Sequence, residues 1–209
     1  MSNPADFERD GYTVVDGVID DRGCEDLITN LPPIESSGSR ILLFLSTFRQ
    51  FAQQLRSDSR LSRFVGDLLA IQCILFRKSS EHNWAVRLHR DAVLPIEGTG
   101  PWEGAGLKEG LQSAKPPREF MDRCVAVRVH LDGAPIEDLS VVPGSHLDSE
   151  KHRRAHAQPV AVVRGGALIM RPTLAHASSK LHDVQYRRVL HYVYAPKEIP
   201  SGYRWRDAV

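Results

Sequence analysis

Three of the nine histidines in this 209-residue chain stand two positions ahead of an aspartate: His89-Arg90-Asp91, His130-Leu131-Asp132 and His146-Leu147-Asp148. Alternate residues of a strand point to one side, so each pair can offer an imidazole and a carboxylate to a single ion. A second imidazole from elsewhere in the chain completes a two-histidine, one-carboxylate set. Such a set leaves half of an octahedral ferrous ion open, which is what oxygen activation requires.

His-x-Asp is a weak motif, and all three copies share this geometry. Position separates them. The first copy leaves enough chain before His176 for several strands to wind round a metal, and it stands where a strand meets a long loop, a place where ligands can face an open cavity. His130 and Asp132 read equally as the polar face of a strand ending in a turn. His146 reads as a turn residue bonded to backbone.

His176 is the more informative half. It follows the run Gly165-Gly166-Ala167-Leu168-Ile169-Met170-Arg171-Pro172 and precedes Ser178 and Gln185-Tyr186-Arg187-Arg188. A metal enzyme that uses 2-oxoglutarate must also bind the carboxylate remote from the metal. An arginine fork fits that group with two parallel charge-assisted hydrogen bonds, and a serine can add a third. Arg187 and Arg188 point to opposite faces of a strand, so one of them enters such a site.

The elements that must position these residues follow from the apolar pattern. Asn3 to Gly11 reads as a short helix by its early proline and closing glycine, and Tyr12 to Val15 as a strand. Asp20-Asp21 caps a helix through Cys24, Leu27 and Ile28 that ends near Pro32-Pro33. Between Arg40 and Leu69 the apolar residues recur at helical intervals (Leu42, Leu45, Phe48, Phe51, Leu55), which predicts one or two amphipathic helices packed by one face onto a sheet. Short strand-like runs follow at Ile71 to Lys78, Trp84 to His89, Cys124 to Leu131 (with one apolar face), Leu139 to Val142, Val160 to Val163, Ala167 to Met170 and Val189 to Tyr194. Residues 92–123, rich in glycine and proline, are expected to form a long loop and are the best candidate for a substrate lid. Helices first and short strands after predict an α+β chain whose sheet part is a sandwich or barrel, in one domain over residues 1–209.

Composition narrows the partners. With 27 basic and 26 acidic side chains there is no net attraction to nucleic acid or a membrane surface. A hydrophobic fraction of 42% and a charged fraction of 25% are ordinary for a globular protein, and no apolar run approaches a membrane span. The first residues lack the basic start and apolar stretch of a signal peptide, and the 3 scattered cysteines suggest neither disulfides nor a zinc site. A cytoplasmic location and a small-molecule substrate are the expectation. The cluster Lys151-His152-Arg153-Arg154 with His156 could hold an anionic tail, but reads first as a solvated loop.

The ordered motifs resemble the phytanoyl-CoA dioxygenase family of non-haem iron and 2-oxoglutarate oxygenases. The resemblance is carried by Phe7 to Val15, Phe76-Arg77-Lys78, Asn83-Trp84, Leu88-His89-Arg90-Asp91, Arg128-Val129-His130-Leu131-Asp132, Val142-Pro143-Gly144-Ser145-His146, His176-Ala177-Ser178 and Tyr186-Arg187-Arg188. It implies a double-stranded β-helix with the N-terminal helices (residues 1–70) outside its major sheet and residues 71–196 as the core. It also implies His89, Asp91 and His176 as iron ligands and Arg187 as the partner of the cosubstrate's remote carboxylate. Ser178 would assist Arg187, with Gln72 and Lys78 as further cosubstrate contacts and His146 as a structural turn residue. The chain departs from the family pattern at Leu88, where tryptophan is frequent, at Arg90, where glutamine is common, and at Asp138, where glycine is frequent.

The reaction so implied is hydroxylation of a C–H bond coupled to conversion of 2-oxoglutarate and O2 into succinate and CO2. An intact Asp91 favours hydroxylation over halogenation, since related halogenases carry a small residue there. Two other classes stay open: a metal- or ligand-binding module on the same barrel without turnover, and a zinc hydrolase, for which no His-Glu-x-x-His helix is present. Trp102, the 92–123 segment and Arg128 could line the substrate pocket, or serve packing and surface.

Overall fold

A computed structural model describes residues 4–33, 38–40, 42–108, 110–133, 139–148, 152–181 and 186–209. Helix α1 (Pro4–Asp10) leads into strand β1 (Tyr12–Val15) through Gly11, whose φ of 79° is open to glycine without strain. Helix α2 (Asp21–Thr29) starts at Asp20, whose carboxylate accepts the Gly23 backbone N–H at 2.7 Å. Strand β2 (Gly38–Ser39) and a 3-10 turn (Leu42–Phe44) precede helix α3 (Ser46–Ser57), which buries Phe48, Phe51, Ala52 and Leu55 on one face. Helix α4 (Ser62–Val65) completes the helical part.

The strands are β3 (Leu69–Ser79), β4 (Val86–His89), β5 (Leu94–Pro95), β6 (Glu97–Gly98), β7 (Glu103–Lys108) and β8 (Leu111–Lys115). A helical turn, α5 (Arg118–Met121), separates these from β9 (Val125–His130), β10 (Leu139–Val141), β11 (Gln158–Pro159), β12 (Ala167–Met170), β13 (His176–Ser178), β14 (Tyr186–Ala195) and β15 (Tyr203–Arg204). All ladders are antiparallel. Six strands form one sheet in the order β1-β12-β9-β14-β3-β2, and four form another in the order β11-β10-β13-β4.

The larger sheet is covered on its outer face by the helices. Cys73, Leu75, Val127, Leu190, Tyr192 and Tyr194 pack there against Phe48, Phe51, Ala52 and Leu55. The hydroxyls of Tyr192 and Tyr194 donate to the Phe48 and Ala52 carbonyls at 3.1 and 2.9 Å, which fixes α3 to β14. The helical periodicity between Arg40 and Leu69 therefore predicted the packing face except at Leu45, which precedes α3 and is exposed. On its inner face the same sheet meets the smaller one, with Ala126, Leu168 and Met170 packed on Leu139 and Val141. Strand β9 has the expected apolar face, with Val125, Val127 and Val129 in the helix-covered core, and its polar residues Arg128 and His130 are buried as well, turned inward between the sheets.

The segment 92–123 differs from the expected loop. It holds β5, β6, β7, β8 and α5, with β5-β8-β7 as a three-stranded sheet and β6 paired to β15. Two of its glycines serve close approach. A Cβ on Gly98 would sit 2.2 Å from the Gly202 carbonyl, and one on Gly100 would sit 2.6 Å from the Tyr203 ring. Trp102 is buried among Phe120, Tyr203 and Trp205, in a core that joins this segment to the C-terminal residues, and not in a substrate pocket. The run expected as a strand at Val160 to Val163 lies outside the ladders apart from a bridge at Val162. The cysteines Cys24, Cys73 and Cys124 are buried and unpaired. No helix among the described residues is long and apolar enough to cross a membrane.

Candidate metal centre and its cavity

His89 and His176 stand directly opposite each other where β4 pairs with β13, with ring centroids 4.3 Å apart. Each ring has its Nδ1 at 2.9 Å from the carbonyl two residues earlier, Arg87 for His89 and Leu174 for His176. A carbonyl only accepts, so both Nδ1 atoms carry the proton and both Nε2 lone pairs are left for a metal. Asp91 lies two residues past His89, beyond the end of β4, and its backbone N–H donates to the Pro172 carbonyl at 2.9 Å. One donor atom from each of these three residues lies within 4.8 Å of the others, and they form the only such cluster among the described residues.

The other two His-x-Asp pairs have separate duties. Asp132 accepts the Arg188 backbone N–H, Nε and Nη2 at 2.7, 2.9 and 2.5 Å, so Arg188 is committed to this carboxylate. His146 bonds the Glu8 carbonyl at 3.0 Å, and its ring fills the space where Gly11 lacks a Cβ. Asp148 pairs with Arg90 and His152. Arg90 also donates to the Thr173 and Ser145 carbonyls at 2.8 Å each, which ties the His89–Asp91 segment to the approach of His176.

Strand register arranges the cavity in rungs. Gln72, Val193 and Ala126 form one rung; Ile74, His191 and Arg128 the next; Phe76, Val189 and His130 a third; Lys78 and Arg187 a fourth. The inner face of these rungs and the ends of β4 and β13 enclose about 340 Å³, near the lower end of small-molecule sites. Its wall carries Arg40, Lys78, Arg90, Arg128 and Arg187 against one carboxylate, Asp91. At the fourth rung Arg187 donates to the Ser178 hydroxyl at 2.9 Å, and the Lys78 ammonium reaches the same hydroxyl at 2.5 Å and the Ser179 carbonyl. Gln72 lines the cavity too, but six residues from Lys78 along the strand, roughly 20 Å. It does not share a ligand carboxylate with Lys78 and Arg187. In the basic cluster, Arg153 and Arg154 are exposed and Arg154 bonds Ser179; Lys151, like Gln185 and Asp138, lies outside the described residues.

The model of the phytanoyl-CoA dioxygenase family matches residues 7–189 of the sequence. The chain belongs to this family. No curated protein sequence matches it. Among solved structures it is similar to the non-haem alpha-ketoglutarate-dependent epimerase SnoN from nogalamycin biosynthesis (TM-score 0.66, 18% identity, 92% of this chain and 79% of that one). It is also similar to HygX from Streptomyces hygroscopicus with nickel and 2-oxoglutarate bound (TM-score 0.67, 16% identity, 96% and 89% covered). A third is AviO1 from Streptomyces viridochromogenes Tue57 (TM-score 0.61, 21% identity, 95% of both chains). These likenesses describe a shared fold.

Within this family member, electrostatics keep the donors in ligand form. Burial pushes the His176 imidazole down to about 4, against the opposing pull of Asp91. Burial alone would raise the Asp91 carboxyl, but His176, His191, His89 and Arg128 together hold it below its ordinary range. A neutral imidazole and an ionised carboxylate are the states that bind a cation.

His191 is a site residue that the motifs did not reveal. Its Nε2 lies 3.5 Å from Asp91 Oδ2, and Arg128 Nη1 lies 3.3 Å from its Nδ1. The guanidinium can only donate, so Nδ1 accepts and Nε2–H faces the second oxygen of Asp91. Burial lowers His191 to about 3 and keeps it neutral. The available signal was its spacing: four residues past Arg187, it returns to the same strand face.

Proposed function

We propose that the protein is a non-haem iron(II)- and 2-oxoglutarate-dependent dioxygenase that hydroxylates a C–H bond of a small molecule. The observation that carries this reading is the pair of sites on one cavity. His89, Asp91 and His176 supply two imidazoles and a carboxylate with open coordination positions, the donor set of ferrous oxygenases. The buried Arg187–Ser178–Lys78 group lines the same cavity, with Ser178 two residues past His176 on β13, and suits a dicarboxylate that reaches from metal to arginine.

Bound there, iron would supply oxygen activation through oxidative decarboxylation of 2-oxoglutarate. The chain's own residues do the rest. His89 and His176 present Nε2 because backbone carbonyls hold Nδ1–H. Arg187 and Lys78 neutralise the remote carboxylate in a water-poor pocket, where charge-assisted bonds are strong. The two facing antiparallel sheets are read as a double-stranded β-helix, residues 1–209 as one domain, and the 92–95 stretch as the rim over the mouth. Three unpaired thiols accord with a reducing cytoplasm.

HygX with nickel and 2-oxoglutarate supports the cofactor pair, and SnoN, an epimerase, marks the competing outcome on the same fold. The test is a succinate-release screen over candidate small molecules, followed by product mass. Hydroxylation adds one oxygen atom and epimerisation leaves the mass unchanged. Asp91→Ala should abolish substrate-linked succinate. A binding module without turnover would release none in any case.

A further inference from the structure

We propose that Arg128 recognises the anionic group of the substrate and that the substrate is a small amphipathic carboxylate. The inference rests on the iron and 2-oxoglutarate reading of the cavity and adds the class of molecule that occupies its other half.

Arg128 is 5% exposed and lines the cavity on the rung of His191 and Ile74. Its Nε has no hydrogen-bond partner, Nη1 reaches only the neutral His191 ring, and the guanidinium lies over Phe76 with its carbon 5.5 Å from the ring centroid. Several other arginines of the molecule have carboxylates: Arg188 has Asp132, Arg171 has Glu8, and Arg164 has Asp21 and Glu25. Among the described residues no carboxylate lies within ion-pair distance of Arg128. Asp91 is the acid that acts on it through space, and that charge is spent on the metal.

A buried cation without a counter-charge destabilises the fold. Such a group is retained where a ligand completes it, which makes perturbed, cavity-facing charges markers of function. The cosubstrate is already accounted for. Its remote carboxylate suits Arg187, Ser178 and Lys78, and its keto and near carboxylate oxygens suit the metal. The metal, Asp91 and a dianionic cosubstrate together carry less charge than Lys78 and Arg187 balance, so Arg128 stays positive in the loaded site. A second anion is needed.

On the side of β5 the wall is mostly apolar. Ile74 shares the rung of Arg128, Val193 occupies the next opposite Gln72, and Leu94 and Val93 line the same cavity, with Arg40 as the cation on that side. A ligand that satisfies both features has a carboxylate at Arg128 and a hydrocarbon body directed towards β5. The volume of about 340 Å³, shared with the cosubstrate, restricts that body to a few carbon atoms or one ring.

The test uses the full-length protein loaded anaerobically with ferrous iron and 2-oxoglutarate. Hexanoate and phenylacetate are titrated beside their neutral amides. Binding is read from tryptophan fluorescence, since Trp84 lines the cavity, and from the shift of the metal charge-transfer band. The acids should bind at least about tenfold more tightly than the amides. Arg128→Met should erase that preference and leave the 2-oxoglutarate Kd within about twofold. It should also raise the melting temperature of the metal-free protein, because an uncompensated buried charge has been removed. Arg128→Lys should keep part of the preference.

Equal binding of acids and amides by the wild type overturns the proposal. So does an Arg128→Met protein that loses 2-oxoglutarate as severely as the acids, which makes Arg128 a cosubstrate residue. An acid-dependent fluorescence change without any charge-transfer band would refute the iron reading and leave the carboxylate site standing.

Discussion

Arg187 and Arg188 adjoin in sequence and face opposite ways, and their different partners set the sharpest residue-level predictions. Arg187→Met should weaken 2-oxoglutarate binding by about 100-fold with iron affinity unchanged, as read by anaerobic titration, because the charge-assisted contact proposed for the remote carboxylate would be lost. Arg188→Met should leave that Kd alone and cost about 2 kcal/mol of stability in urea unfolding, since Asp132 is left without its cation at 13% side-chain exposure. Exchange of these two phenotypes would contradict the assignment. His191→Phe should weaken iron binding about tenfold in competition with a chelator, because Asp91 loses the ring that faces its second oxygen; an unchanged affinity would make His191 a packing residue. The His-x-Asp and His-x-Ser spacings made most of this cluster legible in the sequence. The choice between the arginines was not legible, because it depends on Asp132, a residue distant in sequence. His191 was hidden in an apolar run where a histidine reads as core.

At the scale of elements, the segment 92–123 shows why glycine and proline content misleads. Gly98 and Gly100 permit contact at backbone distance with Gly202 and Tyr203, so composition that suggested a mobile lid instead marks a tight seam. Gly98→Ala should open it. The residue has φ 99°, and its new methyl group would meet the Gly202 carbonyl, at a cost of about 2–4 kcal/mol. Hydrogen exchange should rise at β6 and β15, with β9 and β14 protected as before; uniform exposure of the whole chain would show that the seam is not a separate unit. Helices α2 and α3 were predictable because a cap and a one-sided apolar pattern are local signals. The inward face of β9 was legible in part: Arg128, named as a possible pocket residue, lines the cavity, whereas His130 is buried away from it by the assembled sheets.

At the scale of the molecule, several buried imidazoles are held neutral. His130 is fully buried, with neither ring nitrogen hydrogen-bonded, and burial drives its pKa well below 6.5; burial also lowers His146, and takes His176 to about 4. The sign follows from proton counting. Below pH 6.5 the unfolded chain binds protons that the folded chain refuses, so stability is complete above that pH and falls as pH decreases towards the folded values. Each such histidine contributes about 1.4 kcal/mol per pH unit in that window. The metal-free protein should therefore lose urea stability between pH 6.5 and 5, and His130→Phe should flatten the slope by the share of one group. A slope unaltered by that substitution would mean that His130 protonates freely in the fold.

The central claim, that His89, Asp91 and His176 hold ferrous iron beside a 2-oxoglutarate site, is tested most directly by anaerobic titration with both ligands. A weak visible charge-transfer band should grow to one equivalent of iron in the wild type and be absent when His89→Ala and His176→Ala are combined. A wild type that develops no band, or a doubly substituted protein that develops it undiminished, would contradict the account.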